Sequence, residues 1–313
     1  MTAISTRGLT KHYGNIKALD NLNLEVPDNI VFGFLGPNGA GKTTTVKLLT
    51  GFSRPTSGEA WVAGEKVSDG NCSLQAKTGL LPDVPAFYDW MTAREFLRLV
   101  GELHRLSPAD NKSRTAEMLH LAGIEKAADR RIGGYSRGMR QRLGLAQALM
   151  NQPRVVFMDE PTSALDPIGR REALELIIRL REKATVFMST HILSDVEKVC
   201  DMVGIIDKGV LITVSPVDTL QKKYTRSVFE MEFLEDAKEF VDSLQKIPWL
   251  TNPVMTAVNG TQKITVSALD TERARKELPR VISASGLTLA RYELVVPNLE
   301  DIFMEIVKGS TKS

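Results

Sequence analysis

One eight-residue segment constrains this sequence more than any other, the run Gly36-Pro37-Asn38-Gly39-Ala40-Gly41-Lys42-Thr43. It fits the pattern G-x-x-x-x-G-K-[ST] and lies between a short apolar run, Ile30–Leu35, and a helix predicted to begin at Lys42. Glycines allow the backbone to wrap closely round phosphates, so that successive N–H groups and the helix N-terminus point at anionic oxygens. Lys42 is expected to meet the β- and γ-phosphates, and the Thr43 hydroxyl to be a ligand for Mg²⁺. The sequence therefore predicts a nucleoside triphosphate site, to which Thr44 is also assigned.

A second apolar run ends in two carboxylates. Residues Val155–Met158 are all apolar, and Asp159 and Glu160 follow at once. Ligands of open α/β sheets bind at the carboxyl ends of the strands, where these two acids are predicted to lie. Asp159 is predicted to hold Mg²⁺ through water. Glu160 is predicted to be the general base that polarises the water attacking the γ-phosphate.

Short strands alternate with helices in the first part of the chain. Besides the two apolar runs, strands are predicted at Leu22–Val26 and Thr185–Ser189, with a helix near Leu174. Buried strands that alternate with helices indicate a largely parallel sheet with helices packed on it, so the predicted fold class is α/β.

Between about Phe87 and Arg131 the pattern is helical only. Thr92 and Glu95 have the spacing of a capping box, and Ser107-Pro108 is typical of a helix start. We predict a helical subdomain, about residues 87–150, inserted into a sheet domain of residues 1–220.

A charged segment that ends at Tyr224 precedes a different pattern. It favours a small α+β domain over residues 225–313. The predicted strands are Ser227–Phe233, Asn252–Val258, Lys263–Ser267 and Thr288–Val296. The predicted helices are Glu235–Ile247, Asp270–Ser283 and a last one at Asn298–Val307.

The composition limits the partners of the chain. Its 40 basic and 38 acidic residues leave a net charge of +2, which gives no electrostatic case for nucleic acid. No segment approaches the roughly 18 consecutive apolar residues of a membrane-spanning helix, and the N-terminus has no secretory signal. Cys72 and Cys200 have no metal-ligand spacing and are predicted to be free buried thiols in a reducing cytosol.

Four further motifs complete a resemblance. The run Tyr135-Ser136-Arg137-Gly138-Met139-Arg140-Gln141-Arg142 is similar to the signature sequence of ABC ATPases, usually Leu-Ser-Gly-Gly-Gln. The Ser163–Asp166 segment resembles the D-loop of that family, His191 its switch histidine, and Tyr13 the aromatic residue that stacks on adenine. With the two phosphate-site motifs these stand in the family's order over about residues 2–220.

The resemblance implies a P-loop NTPase fold of ABC type and a head-to-tail homodimer or pseudo-dimer of ATPase subunits that holds two MgATP. In such a dimer Ser136 and the Gly138 N–H would face the γ-phosphate bound by the other copy, as donors at a helix N-terminus. His191 would sense the same phosphate and join Glu160 as a catalytic residue, and Asp166 would belong to the ATP site.

Three positions, in two motifs, depart from the family's pattern. Arg137 and Met139 stand where Gly and Gln are common, and we expect function to survive because the Ser and the second Gly remain. Asp83 aligns with a segment that normally ends in Gln or Glu, so it is either a further Mg²⁺ contact or a simple solvated side chain. The aromatic residues Phe87 and Trp90 follow; they either face a membrane subunit or fill the helical subdomain.

The C-terminal domain resembles the accessory domain of one export branch, which moves drugs, antibiotics, sodium or polysaccharide. The resemblance implies an ATPase subunit that is cytoplasmic, peripheral to the membrane, and coupled to separate permease subunits. The alternative is a soluble, non-transport ABC ATPase. Such proteins usually carry two ATPase halves or long coiled coils, and this chain has one phosphate loop and no sustained heptads.

Overall fold

The computed structural model of the chain describes residues 2–68, 70–163, 165–224, 227–258, 261–295 and 303. They form two compact units, divided between Val217 and Asp218. Within these ranges no helix is both long and apolar enough to cross a membrane.

The first unit contains ten strands and the helices that connect them. The strands are β1 (Thr2–Tyr13), β2 (Ile16–Pro27), β3 (Val31–Leu35), β4 (Ser57–Val62), β5 (Glu65–Lys66), β6 (Thr78–Leu81), β7 (Val155–Asp159), β8 (Thr185–Thr190), β9 (Met202–Asp207) and β10 (Val210–Pro216). The helices are α1 (Lys42–Leu49), α2 (Cys72–Lys77), α3 (Ala93–Leu103), α4 (Pro108–Leu121), α5 (Arg137–Ala148), α6 (Pro167–Leu180) and α7 (Leu193–Val199). Helix α8 (Val217–Tyr224) follows at the division between the units.

The predicted parallel sheet is confirmed. Its order is β10-β9-β3-β8-β7-β6, and every neighbouring pair is parallel except β10 with β9. Every residue of β3, β7 and β8 is buried, as expected for strands covered on both faces. Because β8 lies between β3 and β7, the carboxyl ends of these three strands lie side by side.

Four aromatic rings fill the centre of this sheet. Phe187 of β8 lies 5.5 Å from Phe32, 5.3 Å from Phe34 and 5.6 Å from Phe157, measured between ring centroids, and all four side chains are fully buried. Offset and tilted contacts of this kind stabilise a core beyond the area that they bury.

A second sheet, antiparallel and of order β2-β1-β4-β5, was predicted only in part. Sequence reasoning found Leu22–Val26 in β2 and missed β1. The register of β1 against β2 shifts at several points, which breaks the period-two pattern that predicts a strand. At one of these shifts the buried Thr6 hydroxyl donates to the Leu22 carbonyl (2.9 Å) and accepts from the Leu24 N–H (2.9 Å).

The segment between β6 and β7 is helical, as predicted. Helix α3 begins with a capping box in which Thr92 and Glu95 bond to each other's backbone N–H. Helix α4 begins at Pro108 with Ser107 as its N-cap. Helix α5 completes the group, with Ser136 as its N-cap.

In its described residues the second unit is an antiparallel sheet with helices packed on it. The strands β11 (Ser227–Phe233), β12 (Leu250–Val258), β13 (Thr261–Ala268) and β14 (Leu289–Val295) pair in the order β12-β13-β11-β14. Helices α9 (Lys238–Gln245) and α10 (Thr271–Ser285) contribute Phe240, Leu244, Leu278 and Ile282 to its core.

Two predicted details differ from the structure, and a third lies outside the residues that it describes. The helix predicted to begin at Glu235 begins at Lys238, because the Glu235 carboxylate accepts the Thr288 N–H (2.9 Å) and Asp236 accepts the Lys238 N–H (3.2 Å). Cys200 is buried, but Cys72 is exposed. The predicted helix at 298–307 lies outside the continuously described residues.

We expect Phe187→Ala to lower the free energy of unfolding of the first unit by about 3–5 kcal/mol, because the cavity lies between three other rings. Urea unfolding would measure this through the fluorescence of Trp61, with Trp90 and Trp249 replaced by Phe. Phe52→Ala is the control and should change stability little, since that side chain is 75% exposed. Equal effects of the two substitutions would contradict the packing described.

Candidate nucleotide site

The Gly36–Thr43 loop joins β3 to α1, and its tip, residues 37–39, is exposed. Gly39 and Gly41 have φ angles of 81° and 106°, a region that favours glycine. A Cβ at Gly41 would lie 2.6 Å from the Ala18 carbonyl oxygen, and one at Gly36 would overlap that of Ile206. Glycine is therefore required at positions 39 and 41 by backbone conformation, and at positions 36 and 41 by the close approach of neighbouring backbone atoms.

The Lys42 ammonium is held beneath this loop. It donates to the carbonyls of Gly36 (2.8 Å) and Pro37 (3.2 Å) and lies 3.7 Å from Glu160 Oε1. Desolvation lowers the pKa of Lys42, and the negative charges of Glu160 and Asp159 oppose that shift. A partly desolvated cation beneath an exposed glycine-rich loop is well placed to bind a polyanion.

The carboxylates at the end of β7 lie against the end of β8. Asp159 is buried and accepts a short hydrogen bond from the Ser189 hydroxyl. The Glu160 N–H continues the ladder by donating to the Ser189 carbonyl (2.9 Å). Glu160 itself has a φ of 50°, in the left-handed region, so the chain turns there as it leaves the sheet.

Glu160 is also in contact with the segment that follows β8. Its carboxylate lies 2.9 Å from His191 Nδ1 and accepts the Thr190 hydroxyl at 3.4 Å. The structure thus brings together Lys42, Asp159, Glu160 and His191 from three different elements. Sequence reasoning missed Ser189 and Thr190, although polar residues at the end of a strand next to β7 were a usable signal.

The donor set fits Mg²⁺ carried by a nucleotide. Mg²⁺ is commonly bound through one or two carboxylates together with substrate phosphates. Asp159 is a buried carboxylate close to Lys42, and Thr43 is an exposed hydroxyl in the first turn of α1. Within the described residues no group of three His, Cys, Asp or Glu side chains could hold a metal ion.

Ser136, Gly138 and Asp166 are placed elsewhere. The Ser136 hydroxyl accepts the Met139 N–H (3.2 Å), and Asp166 accepts the Gly169 N–H (3.1 Å), so each begins a helix. All three line one cleft, in which Leu165 also lies. Lys42 and Glu160 are not among the residues that line it.

The remaining predicted contacts are at the surface. Tyr13 ends β1 and is 46% exposed, with Lys11 Nζ 4.9 Å from its ring centroid. Asp83 is exposed, and its carboxylate accepts the Ser163 hydroxyl at 3.3 Å.

The two aromatic residues Phe87 and Trp90 have different surroundings. Phe87 packs edge-on against Phe96, with centroids 5.1 Å apart, and so belongs to the helical subdomain. Trp90 is 70% exposed and lies against Tyr88.

A family model described as "ABC transporter" matches residues 19–163. The chain is 39% identical over 304 residues to the uncharacterized ABC transporter ATP-binding protein YxlF of Bacillus subtilis, covering 97% of this chain and 99% of the relative. The chain belongs to the ABC transporter ATP-binding proteins. It is accordingly an ATPase of P-loop, ABC-type fold that binds ATP with Mg²⁺.

Two further comparisons extend the likeness. The chain is 34% identical over 316 residues to the bacitracin transport ATP-binding protein BcrA of Bacillus licheniformis, covering 99% of each. A dimeric ATP-binding cassette solved in a post-hydrolysis state with ADP and phosphate superposes with a TM-score of 0.63. It is 25% identical, and the match covers 68% of this chain and 98% of that one.

We expect Glu160→Gly to be more stable than Glu160→Gln in the ligand-free protein by about 1 kcal/mol, because glycine relieves the left-handed φ. Both variants lose the same carboxylate, so the difference isolates the backbone. Thermal unfolding would measure it. At Glu175, which is exposed within α6, the same pair should give the opposite order, since glycine weakens a helix interior. The same order at both positions would contradict the strain assigned to Glu160.

Proposed function

We propose that this chain is the ATP-hydrolysing subunit of a membrane exporter and that Glu160 is its catalytic base. The observation that carries the proposal is the position of the Glu160 carboxylate, between the Lys42 ammonium at 3.7 Å and His191 Nδ1 at 2.9 Å. A base at that point faces the place where Lys42 meets the β- and γ-phosphates.

In this mechanism Glu160 accepts a proton from the water that attacks the γ-phosphate. With its proton on Nδ1, His191 donates to Glu160 and holds the carboxylate in orientation. Lys42 and the backbone N–H groups of residues 38–44 bind the phosphates, and the Tyr13 ring stacks on adenine. Thr43 and Asp159 would hold Mg²⁺, which would neutralise charge on the phosphate oxygens, and the exposed Asp83 is assigned to the same ion.

The site is completed by a second copy of the chain. Ser136 and Gly138 at the start of α5, with Asp166 in the same cleft, are assigned to the ATP held by the partner copy. The likeness to a dimeric cassette supports this arrangement. Residues 1–220 are assigned as the ATPase domain, with a helical subdomain of about 87–150, and residues 225–313 as an accessory domain.

The exporter role rests on two supports. The similarity to a bacitracin transport ATP-binding protein runs the length of both chains and includes the second unit. The exposed Trp90 and Tyr88 offer an apolar contact for a separate permease subunit. The protein is then peripheral on the cytoplasmic face of the membrane, and co-purification with membranes that depends on Trp90 would test this.

Glu160→Gln should bind MgATP as the wild type does, yet hydrolyse it at least about 100-fold more slowly, because the amide cannot accept the proton. It should accumulate as an ATP-bound dimer on size exclusion. Glu175→Gln is the matched control and should leave turnover unchanged. Near-normal turnover by Glu160→Gln would remove Glu160 from its assigned role.

Mixing two inactive variants tests completion across the dimer. Lys42→Ala and Ser136→Arg should each be inactive alone, but a mixed dimer keeps one site with both residues intact. A 1:1 mixture should therefore recover about a quarter of the wild-type sites if the copies assort randomly. A mixture no more active than its two components would argue that each chain uses its own Ser136.

A further inference from the structure

Asp195 is a buried carboxylate that the mechanism above does not use. It lies in α7, four residues after His191, and is fully inaccessible to solvent. Thr162 Oγ donates to its Oδ2 at 2.6 Å. Arg170 Nε donates to its Oδ1 at 2.8 Å, and a terminal guanidinium nitrogen lies 2.7 Å from the same oxygen.

The partners of Asp195 come from two segments that carry proposed functional residues. Thr162 is two residues after Glu160 and directly precedes Ser163, whose hydroxyl contacts Asp83 at 3.3 Å. Arg170 is in the first turns of α6, and its N–H donates to the carbonyl of Asp166 at 2.8 Å. The Asp195 carboxylate therefore joins the helix that follows His191 to Thr162, which lies near Glu160. It also joins that helix to Arg170, which is bonded to Asp166.

The contacts of Asp195 fix the geometry of these segments more than they add to stability. A buried ion pair contributes little net stability, because desolvation offsets the attraction between the charges. It does fix geometry: both carboxylate oxygens are used, and the Arg170 guanidinium also donates to the Ser194 hydroxyl at 2.9 Å. A sliding or rotation of α7 against α6 would leave a buried carboxylate without its partners, at high cost.

We propose that Asp195 is a positioning residue that holds His191 in contact with Glu160 and fixes both relative to Ser163 and Asp166. This rests on the proposed function of Glu160 and His191. Because Asp166 is assigned to the partner's ATP, Asp195 also links closure of the dimer to the orientation of the base in its own chain.

Thr162→Val is the decisive variant, since it removes one hydroxyl from a residue of nearly the same shape and keeps the ion pair. We expect kcat for ATP to fall about 10- to 100-fold, with KM changed less than about threefold, because misplaced catalytic groups slow turnover more than they weaken binding. Thr162→Ser keeps the donor and should stay near wild type. Asp195→Asn should show the same fall in kcat as Thr162→Val, provided that it folds. If it does not fold, the test depends on Thr162→Val alone.

A spectroscopic signature separates positioning from general stability. The imidazole resonances of His191, assigned with His191→Ala, should move in Thr162→Val toward those seen in Glu160→Gln, where an uncharged amide replaces the carboxylate. Asp201→Asn is the matched control: it breaks an Asp–Arg pair (Arg181, 3.1 Å) outside the site and should leave both kcat and the His191 resonances unchanged.

Wild-type turnover and unmoved His191 resonances in Thr162→Val would overturn the proposal, as would a rise in KM with kcat unchanged. If Glu160→Gln turns over normally in the same assay, the proposed function itself fails, and the role of Asp195 fails with it.

Discussion

The pairing of β8 between β3 and β7 is the constraint on which the site depends. Each strand ends in a different functional group: the phosphate loop after β3, the two carboxylates at the end of β7, and His191 just after β8. Parallel pairing aligns those ends. Phe187 of β8 packs against Phe32 and Phe34 of β3 and against Phe157 of β7, so a shift in register would break these ring contacts. This packing helps to keep Lys42, Glu160 and His191 together.

The buried positive charge of Lys42 is balanced by nearby carboxylates. Lys42 is desolvated, and that burial lowers its pKa, while Glu160 and Asp159 act in the opposite direction. Hydrogen bonds from Lys42 to the loop carbonyls of Gly36 and Pro37 also offset this desolvation. The cost of burying these charges is met locally, and the left-handed φ of Glu160 adds backbone strain at the same place.

The sequence predicts local chemistry better than non-local geometry. The phosphate loop, the helix caps at Thr92 and Ser107, and the buried strands were predictable because a few consecutive residues determine each of them. Strand β1 was not, since its pairing is bulged and its partners are distant in the sequence. The helix start predicted at Glu235 was wrong for the same reason. The Glu235 carboxylate accepts the Thr288 N–H, a partner that no local sequence pattern reveals.

Asp195 shows where sequence reading stops. In the sequence it is one more acidic residue early in a short helix, and the residues next to it do not mark it as unusual. Its role can be recognised only when the fold places Thr162 and Arg170 around it. The phosphate loop can be recognised alone because its backbone does the binding, whereas a positioning residue acts only through the segments that it joins. In the proposed dimer such a residue holds the base in place in one chain while the groups that complete its chemistry arrive from the other.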